Sequence, residues 1–216
     1  MKLKAATRIV KRFVDVGGSI FGLCLASPVI AAAAVAVRLD SSGPVFFRSP
    51  RVGLMGAPFH LYKLRTMRES SLDSGPHVTC GGDVRITQVG RLLRKTKIDE
   101  LPQLLNVLKG DVSLVGPRPE APKYAERYPI EYERILSVRP GLSDRATLEF
   151  VGEEELLAKS DDPEKTYIEE IMPRKMAHYL RYVENPSLVE DLKIIFATVG
   201  QVAKRTLLGF SGRLEK

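Results

Sequence analysis

The chain contains no tryptophan and only two cysteines among its 216 residues. Cys24 and Cys80 lie far apart in segments of different character, so they predict neither a disulfide framework nor a metal-binding pair. So few thiols fit a reducing compartment. Because tryptophan is absent and aromatic side chains are not interleaved with basic ones, the chain lacks the pattern of a base-stacking surface, and no nucleic-acid partner is expected.

Acidic residues are absent from the first 14 positions, which hold five basic ones. This basic arm accounts for most of the formal net charge of +7, and an anionic membrane surface is the partner that it favours. With 44% hydrophobic residues, the chain can bury one compact core, in one or at most two domains. The basic residues of the arm are Lys2, Lys4, Arg8, Lys11 and Arg12.

Charge is also absent from residues 16–37, a 22-residue apolar segment directly after the basic arm. As a helix this segment would be about 33 Å long, which is enough to cross a bilayer. Ser27 and Pro28 lie in its interior, where the proline removes the hydrogen bond to the Cys24 carbonyl and predicts a break or a kink. Basic residues flank both ends of the segment, those that follow it being Arg38, Arg48 and Arg51.

The broken apolar segment allows three interpretations. We favour a re-entrant helix that dips into one leaflet, because positive charge on both flanks gives no inside and outside. A kinked transmembrane span stays open. A cleaved signal peptide fits less well, because the apolar stretch is longer than the usual core of such a peptide.

Two adjacent carboxylates, Asp99 and Glu100, follow a cluster of basic residues where a helix is predicted to begin. Asp99 is expected to cap that helix, Pro102 to lie in its first turn and Gly110 to stop it. The helix dipole and the nearby cations are expected to keep both carboxylates ionised. An ionised aspartate can attack phosphorus, and a neighbouring carboxylate can hold Mg²⁺ or handle a proton. Taken alone, the pair fits an ordinary helix cap beside a surface acid even better.

A hairpin is predicted from two strands, Pro44–Arg48 and Phe59–Met67, with a glycine-containing turn between them. On the second strand Lys63 and Arg65 point to the same face, so that both can reach one anion. The alternative is a solvated strand face. Residues 69–83 predict a loop that either closes over a substrate or merely connects.

Arg118 lies between two prolines in the run Gly116–Glu120. Each proline fixes its own backbone and biases the preceding residue to an extended conformation, so Arg118 is held on a stiff segment. A rigid guanidinium suits bidentate phosphate binding, although a surface turn with an incidental arginine fits as well.

The C-terminal third carries weaker signals. His178 lies in a predicted amphipathic helix, where a structural role is favoured over a catalytic one. Acidic runs such as Glu153–Glu155 are expected to form solvated faces. The last predicted helix, residues 188–199, is apolar on one side and either rests on the membrane or covers the core.

The chain resembles the bacterial sugar transferases, or monotopic phosphoglycosyl transferases, which prime the assembly of cell-surface glycans. The resemblance covers most of residues 8–142 and rests on several separate motifs. One stretch departs from it, because the chain has Leu142–Thr147 where many relatives have a Thr-Gly-Trp-Ala-Gln-like run, which leaves the sugar open. The motifs are the basic start with the Pro-broken apolar helix, Leu61–Met67, Thr96–Gln103, Gly110–Glu120 and Arg139–Leu142.

This resemblance implies transfer of a sugar 1-phosphate from a UDP-sugar to undecaprenyl phosphate or another polyprenol phosphate, with Mg²⁺. The products would be UMP and a polyprenyl-diphospho-sugar, in the first membrane step of O-antigen, capsule, exopolysaccharide or glycoprotein assembly. Asp99 would attack the sugar-bearing phosphate to form a covalent intermediate, and Glu100 would bind the metal with Asp99 or handle a proton. The implied phosphate-binding residues are Lys63, Arg94 and Arg118, to which the strand pattern adds Arg65, and Ser27 and Pro28 would form the helix break.

The expected fold is α/β or α+β, with helices around a small β-sheet or hairpin and an N-terminal re-entrant membrane helix. Residues 1–40 would form the basic arm and membrane helix, and residues 41–216 a catalytic domain on the cytoplasmic face of the bacterial inner membrane. Membrane phospholipid is a further expected partner, and a homodimer is left open. The alternative is a non-catalytic membrane-anchored scaffold, which would need the apolar segment but not the two carboxylates or Arg118.

Overall fold

The computed structural model describes residues 5–68 and 83–211, with side chains over 7–68 and 83–204. The predicted loop over residues 69–83 lies, apart from Asp83, outside the described residues. The described chain is mostly helical and contains two two-stranded sheets. The expected α/β or α+β class is therefore confirmed.

Helix α1 runs from Ala5 to Asp40 without interruption. The helix continues through Ser27 and Pro28 and so is not interrupted there, whereas a kink at these residues stays a prediction. Pro28 has no N–H for the Cys24 carbonyl, and the Ser27 hydroxyl donates to that carbonyl instead, at 3.0 Å. By length and composition, Thr7–Asp40 is able to cross a membrane, and only 11% of its most apolar window is buried.

The side of α1 that faces the protein is polar in its N-terminal half. Asp15 is buried and accepts hydrogen bonds from the Ser113 hydroxyl and the Leu114 N–H, each at 2.9 Å. Lys11 and Arg12 also point inward. The basic arm was expected to bind a membrane surface. Lys11 and Arg12, which belong to this arm, instead attach α1 to the rest of the protein. Lys11 donates to the Val115 carbonyl and pairs with Asp191, and Arg12 donates to the carbonyls of Val107 and Leu108.

The predicted hairpin is confirmed, with its strands slightly displaced. Strand β1, Phe46–Val52, pairs antiparallel with β2, Pro58–Leu64. A short 3₁₀ turn, Leu54–Gly56, joins them. Because Arg51 lies opposite Phe59 and Phe47 opposite Lys63, Arg51 and Lys63 are on the same face of the hairpin.

A second, parallel pair of short strands lies next to the hairpin. Strand β3, Ser113–Val115, pairs with β4, Gly141–Ser143. The backbone after β3 lies so close to the backbone of β4 that a Cβ on Gly141 would lie 2.0 Å from the Gly116 nitrogen. This close contact fixes the start of the segment that carries Arg118.

The remaining elements are helical. Helix α2, Gln88–Thr96, leads through a 3₁₀ segment, Ile98–Gln103, into α3, Leu104–Lys109. Gly110 ends α3 with a φ of 90°, as predicted. The others are α4 Pro122–Ala125, α5 Pro129–Ile135, α6 Arg145–Glu149, α7 Glu153–Leu157, α8 Pro163–Thr166, a π-helical turn Tyr167–Ile171, α9 Met172–Glu184 and α10 Leu188–Ser211.

Apolar side chains are buried in three clusters. The largest is formed by side chains from the elements between α4 and α9, with Ile135, Met172 and Tyr179 among its members. The other two lie where α1 meets the hairpin and where the hairpin meets α3. Helix α10 buries Ile194 and exposes Phe196, so one side covers the core while the other is open. His178 pairs with Glu149 at 2.8 Å, away from the carboxylate pair.

Candidate active site

The carboxylate pair lies where the chain turns out of α2. Lys97 adopts the left-handed conformation, with φ 59° and ψ 17°, and both ends α2 and precedes the 3₁₀ segment. Asp99 therefore lies inside the first turn of that segment and does not cap it, so the predicted capping role is wrong. Its carboxylate is not used by the local backbone, which leaves it available to a ligand.

Glu100 attracts three cations to one oxygen. Its Oε1 lies 2.8 Å from Arg118 Nη2, 3.2 Å from Lys63 Nζ and 3.9 Å from Lys97 Nζ. Burial alone would raise the pKa of the Glu100 carboxyl, but the charges of Arg118, Lys63 and Lys97 hold that pKa well below its usual range. Glu100 is therefore firmly ionised.

Asp99 has the opposite environment, although it is the adjacent residue. Its side chain is 5% exposed, and Oδ1 is buried without a hydrogen-bond partner. Burial and the charge of Glu100 raise the pKa of the Asp99 carboxyl, against the smaller effects of Lys63, Lys97 and Arg94. The expectation that both carboxylates are ionised is supported for Glu100, whereas for Asp99 burial and the charge of Glu100 oppose ionisation.

Arg118 is brought to the pair as the motif predicts. Besides its bond to Glu100, its Nη1 donates to the Leu142 carbonyl at 3.4 Å. Two backbone hydrogen bonds fix the segment before it, from Gly116 N–H to the Ser143 carbonyl and from Gly141 N–H to the Pro117 carbonyl. The negative charge of Glu100 raises the pKa of the Arg118 guanidinium, which stays protonated.

Lys63 and Arg65 do not reach one anion. Lys63 points to Glu100, and its burial lowers the pKa of its ammonium group while Glu100 raises it. Arg65 is 2% exposed and donates to the carbonyl and hydroxyl of Ser41 beside the C-terminal end of α1. Strand β2 ends at Leu64, so the alternation that grouped the two cations stops before Arg65. The shared-anion prediction is therefore wrong.

Arg94 lies close enough to influence the pKa of Asp99, but its ion pair is with another residue. Its Nη2 lies 2.6 Å from Glu154 Oε1 on α7. The acidic run that contains Glu154 was expected to be solvated; Glu155 is exposed, and Glu153 and Glu154 are partly exposed and pair with cations. Glu153 pairs with the buried Lys175 at 2.5 Å.

Two residues at the site have no role in the sequence-based prediction. Arg51 was considered only as a charge flanking the apolar segment, yet it shares a hairpin face with Lys63. Asp144 is buried, and its carboxylate caps α6 through the Thr147 N–H at 2.8 Å. Burial raises the pKa of Asp144, whereas Thr147 and the charge of Arg118 oppose this. The strand alternation could have found Arg51, whereas only the fold brings Asp144 near Arg118.

The donor atoms for a metal are few. Over residues 7–68 and 83–204, no group of three or more His, Cys, Asp or Glu side chains could hold a metal ion. Mg²⁺ is nevertheless often bound by one or two carboxylates together with substrate phosphates. Asp99, with its unpartnered Oδ1, and Glu100 fit that mode of binding.

A carboxylate pair surrounded by basic side chains, in a protein with a long exposed apolar helix, is typical of a membrane-associated enzyme that acts on phosphate groups. The family model described as "Bacterial sugar transferase" matches residues 6–205, and the chain belongs to this family. It is therefore a transferase, as expected from its motifs.

Curated relatives agree with this assignment. The chain is 42% identical over 203 residues to the UDP-glucose:undecaprenyl-phosphate glucose-1-phosphate transferase of Caulobacter vibrioides, covering 91% of this chain and 70% of that protein. It is 38% identical over 210 residues to the UDP-N-acetylgalactosamine-undecaprenyl-phosphate N-acetylgalactosaminephosphotransferase of Aeromonas hydrophila, covering 94% of this chain but 45% of the relative. It is 41% identical over 194 residues to the uncharacterized sugar transferase EpsL of Bacillus subtilis, covering 90% and 87%.

Proposed function

We propose that the protein transfers a sugar 1-phosphate from a UDP-sugar to undecaprenyl phosphate and releases UMP. The named relatives provide the substrate class, since one uses UDP-glucose and another UDP-N-acetylgalactosamine. The observation that carries the proposal is the buried, unpartnered Oδ1 of Asp99 beside a Glu100 that gathers three cations. The step would be the first membrane reaction of surface-glycan assembly.

The proposed chemistry has two displacements at one phosphorus atom. In the first, an Asp99 carboxylate oxygen bonds to the sugar-bearing phosphorus, and the bond from that phosphorus to the UMP oxygen breaks. In the second, a phosphate oxygen of the lipid acceptor attacks the same phosphorus and displaces the Asp99 carboxylate. The negative charge of the diphosphate must be offset for an anionic carboxylate to approach it, and Lys63 and Arg118, which pair with the adjacent Glu100, would supply that positive charge.

We also propose that Asp99 and Glu100 hold Mg²⁺ together with phosphate oxygens of the donor. A bound Mg²⁺ would withdraw charge from the diphosphate and from the leaving UMP. It would also lower the pKa of Asp99 and so oppose the effect of burial. The positions of Asp99 and Glu100, and their charges, support this role.

The acceptor's lipid tail stays in the bilayer, so we propose that the transferase acts on the cytoplasmic face of the bacterial inner membrane. Both halves of α1 contact the same domain, through Asp15 near one end and Val37 near the other. A helix that crossed the bilayer would carry one of these contacts away from the domain. This contact pattern favours a helix inserted from one side, with both ends of α1 on the side of the membrane where residues 41–216 lie.

The test of this topology uses an N-terminal tag in spheroplasts. A helix inserted from the cytoplasm keeps the tag protected from added protease until the cells are lysed. Cleavage of the tag in intact spheroplasts would show that α1 crosses the membrane. A periplasmic protein tag that is cleaved in the same sample serves as the control.

The test of the function is UMP release from a panel of UDP-sugars, with Mg²⁺ and undecaprenyl phosphate, in detergent or nanodiscs. Wild type should release UMP, Asp99→Asn should not, and the exposed control Asp161→Asn should behave as wild type. Without the lipid acceptor, wild type should release about one UMP per enzyme and stop, as expected for a covalent intermediate. Equal release by wild type and Asp99→Asn would remove Asp99 as nucleophile, and silence across the panel would favour an unusual nucleotide sugar first and the scaffold alternative second.

A further inference from the structure

Arg51 is fixed next to the segment that carries Arg118. The residue after it, Val52, donates its N–H to the Glu120 carbonyl at 3.1 Å. Glu120 is two positions beyond Arg118, and both lie in the stiff Gly116–Glu120 run. Together with the shared hairpin face of Arg51 and Lys63, this contact places Arg51 at the edge of the cation cluster around Glu100.

Arg51 differs from the other cations of this cluster because it forms no ion pair with any side chain that the structure describes. Lys63, Lys97 and Arg118 are paired with Glu100, and Arg94 is paired with Glu154. Within the part of the chain whose side chains are described, the Arg51 guanidinium donates one hydrogen bond, from Nη1 to the Pro50 carbonyl at 3.0 Å. Most of its donor groups are therefore available to a ligand.

The neighbouring acid, Glu120, does not form an ion pair with Arg51. Glu120 is 9% exposed, and its Oε1 accepts the Tyr167 hydroxyl hydrogen bond at 2.8 Å. Burial lowers the pKa of the Arg51 guanidinium. The charge of Glu120 raises this pKa, and the like charge of Arg118 lowers it further. Two half-buried guanidinium groups near each other repel, and an anion bound between them would remove that repulsion.

We propose that Arg51 and Arg118 form a two-arginine subsite for one phosphate of a nucleoside diphosphate, namely the phosphate that leaves with the nucleotide. This inference rests on the proposed function. Asp99 is the group proposed to attack the sugar-bearing phosphate, and Lys63 pairs with the adjacent Glu100. Arg51 lies beside the segment that carries Arg118 and Glu120, so the two guanidinium groups would bind the other phosphate, which departs with the nucleotide. Guanidinium groups suit this task because each can bind two phosphate oxygens.

The test compares the binding of UDP and of uridine to the full chain by calorimetry. Arg51→Met should weaken UDP binding by about 10- to 100-fold, as expected for lost hydrogen bonds to a charged group. It should leave uridine binding unchanged, because uridine has no phosphate. Arg48→Met is the matched control, since Arg48 lies on the opposite face of β1 and should not affect either ligand. Arg51→Lys, which keeps the charge but not the forked geometry, should lose less.

The outcomes separate this inference from the function on which it rests. If wild type releases UMP and both Arg51 variants bind UDP as tightly as it does, the Arg51 subsite is wrong and the function stands. If wild type neither binds UDP nor releases UMP, both are overturned. A loss of uridine binding equal to the loss of UDP binding would show general damage to the site and would also contradict the proposal. If Arg51→Met does not fold, UDP binding by Arg51→Lys compared with wild type tests the proposal.

Discussion

Arg118 donates a 2.8 Å hydrogen bond to Glu100, the residue that directly follows Asp99. Arg118 and Lys63 converge on one Glu100 oxygen, so that Glu100 is ionised and held while Asp99 is buried without a partner. Two adjacent carboxylates thus have pKa values displaced in opposite directions. Such a division of environments is how enzymes give two like groups different tasks.

Replacing Glu100 with glutamine should lower the pKa of Asp99, because the charge of Glu100 is one of the causes that raise it. In the protein without Mg²⁺, Asp99 would then stay ionised to lower pH, and an infrared titration of its carboxyl group measures this change. With Mg²⁺ and substrate, the rate of the first UMP burst should fall by about 100-fold or more, since Arg118 and Lys63 lose the group that orients them. An Asp99 titration that stays in place would contradict the proposed coupling, and Glu169→Gln on an exposed side chain is the control.

Replacing Asp99 with asparagine should stabilise the fold at neutral pH while abolishing UMP release. Because the folded-state pKa of Asp99 is raised, its protonated form contributes stability below the unfolded pKa, and this contribution is lost as pH rises through the folded pKa. Wild type at neutral pH therefore carries an unfavourable buried charge that the amide avoids. We expect a gain of about 1 kcal/mol in the free energy of unfolding, in line with the cost of an unsatisfied buried polar group.

Thermal and denaturant unfolding in the same detergent at pH 4 and pH 8 measures this gain. It should be larger at pH 8, where wild-type Asp99 is more ionised. Asp161→Asn, on an exposed side chain, should show no gain at either pH. A loss of stability in Asp99→Asn at pH 8 would mean that Asp99 has a stabilising partner.

How far the sequence predicts this site depends on how local each signal is. The hairpin, the Gly110 stop and the rigid Arg118 follow from alternation, glycine and proline, and the structure confirms their positions. The capping role of Asp99 was wrong because Lys97 adopts a left-handed conformation that is uncommon for lysine, and no sequence pattern predicts it.

The roles of Arg65 and Lys11 could not be predicted from the sequence for another reason, because the partners of both residues are distant in the chain. Alternation cannot say that a strand ends at Leu64, nor that Arg65 then reaches Ser41. A run of basic residues near an apolar helix is equally compatible with lipid headgroups and with buried acids. Lys11 has the buried Asp191, 180 positions away, as its partner, and only the folded chain reveals this pair.

Replacing Lys11 with methionine should weaken the fold without weakening membrane binding. Asp191 would lose its ion pair and the Val115 carbonyl a donor, so we expect a loss of about 1–3 kcal/mol in the free energy of unfolding. A lysine bound to anionic headgroups would contribute about 1 kcal/mol to membrane binding instead. Flotation with vesicles of anionic phospholipid should therefore show no change. Lys193→Met, on an exposed part of α10, is the control for stability, and reduced flotation of Lys11→Met would contradict the assignment.

The hydrogen bond from Ser27 to the Cys24 carbonyl predicts a specific coupling between Ser27 and Pro28. Ser27→Ala should leave that carbonyl without a donor and cost about 1 kcal/mol in the free energy of unfolding. Pro28→Ala restores the backbone N–H that can bond the same carbonyl, so Ser27→Ala should cost little in that background. The double-mutant cycle, measured by unfolding in one detergent, should give a coupling of about 0.5–1 kcal/mol. Additive effects would mean that the serine does not replace the hydrogen bond lost to the proline, and the continuity of α1 would then need another cause.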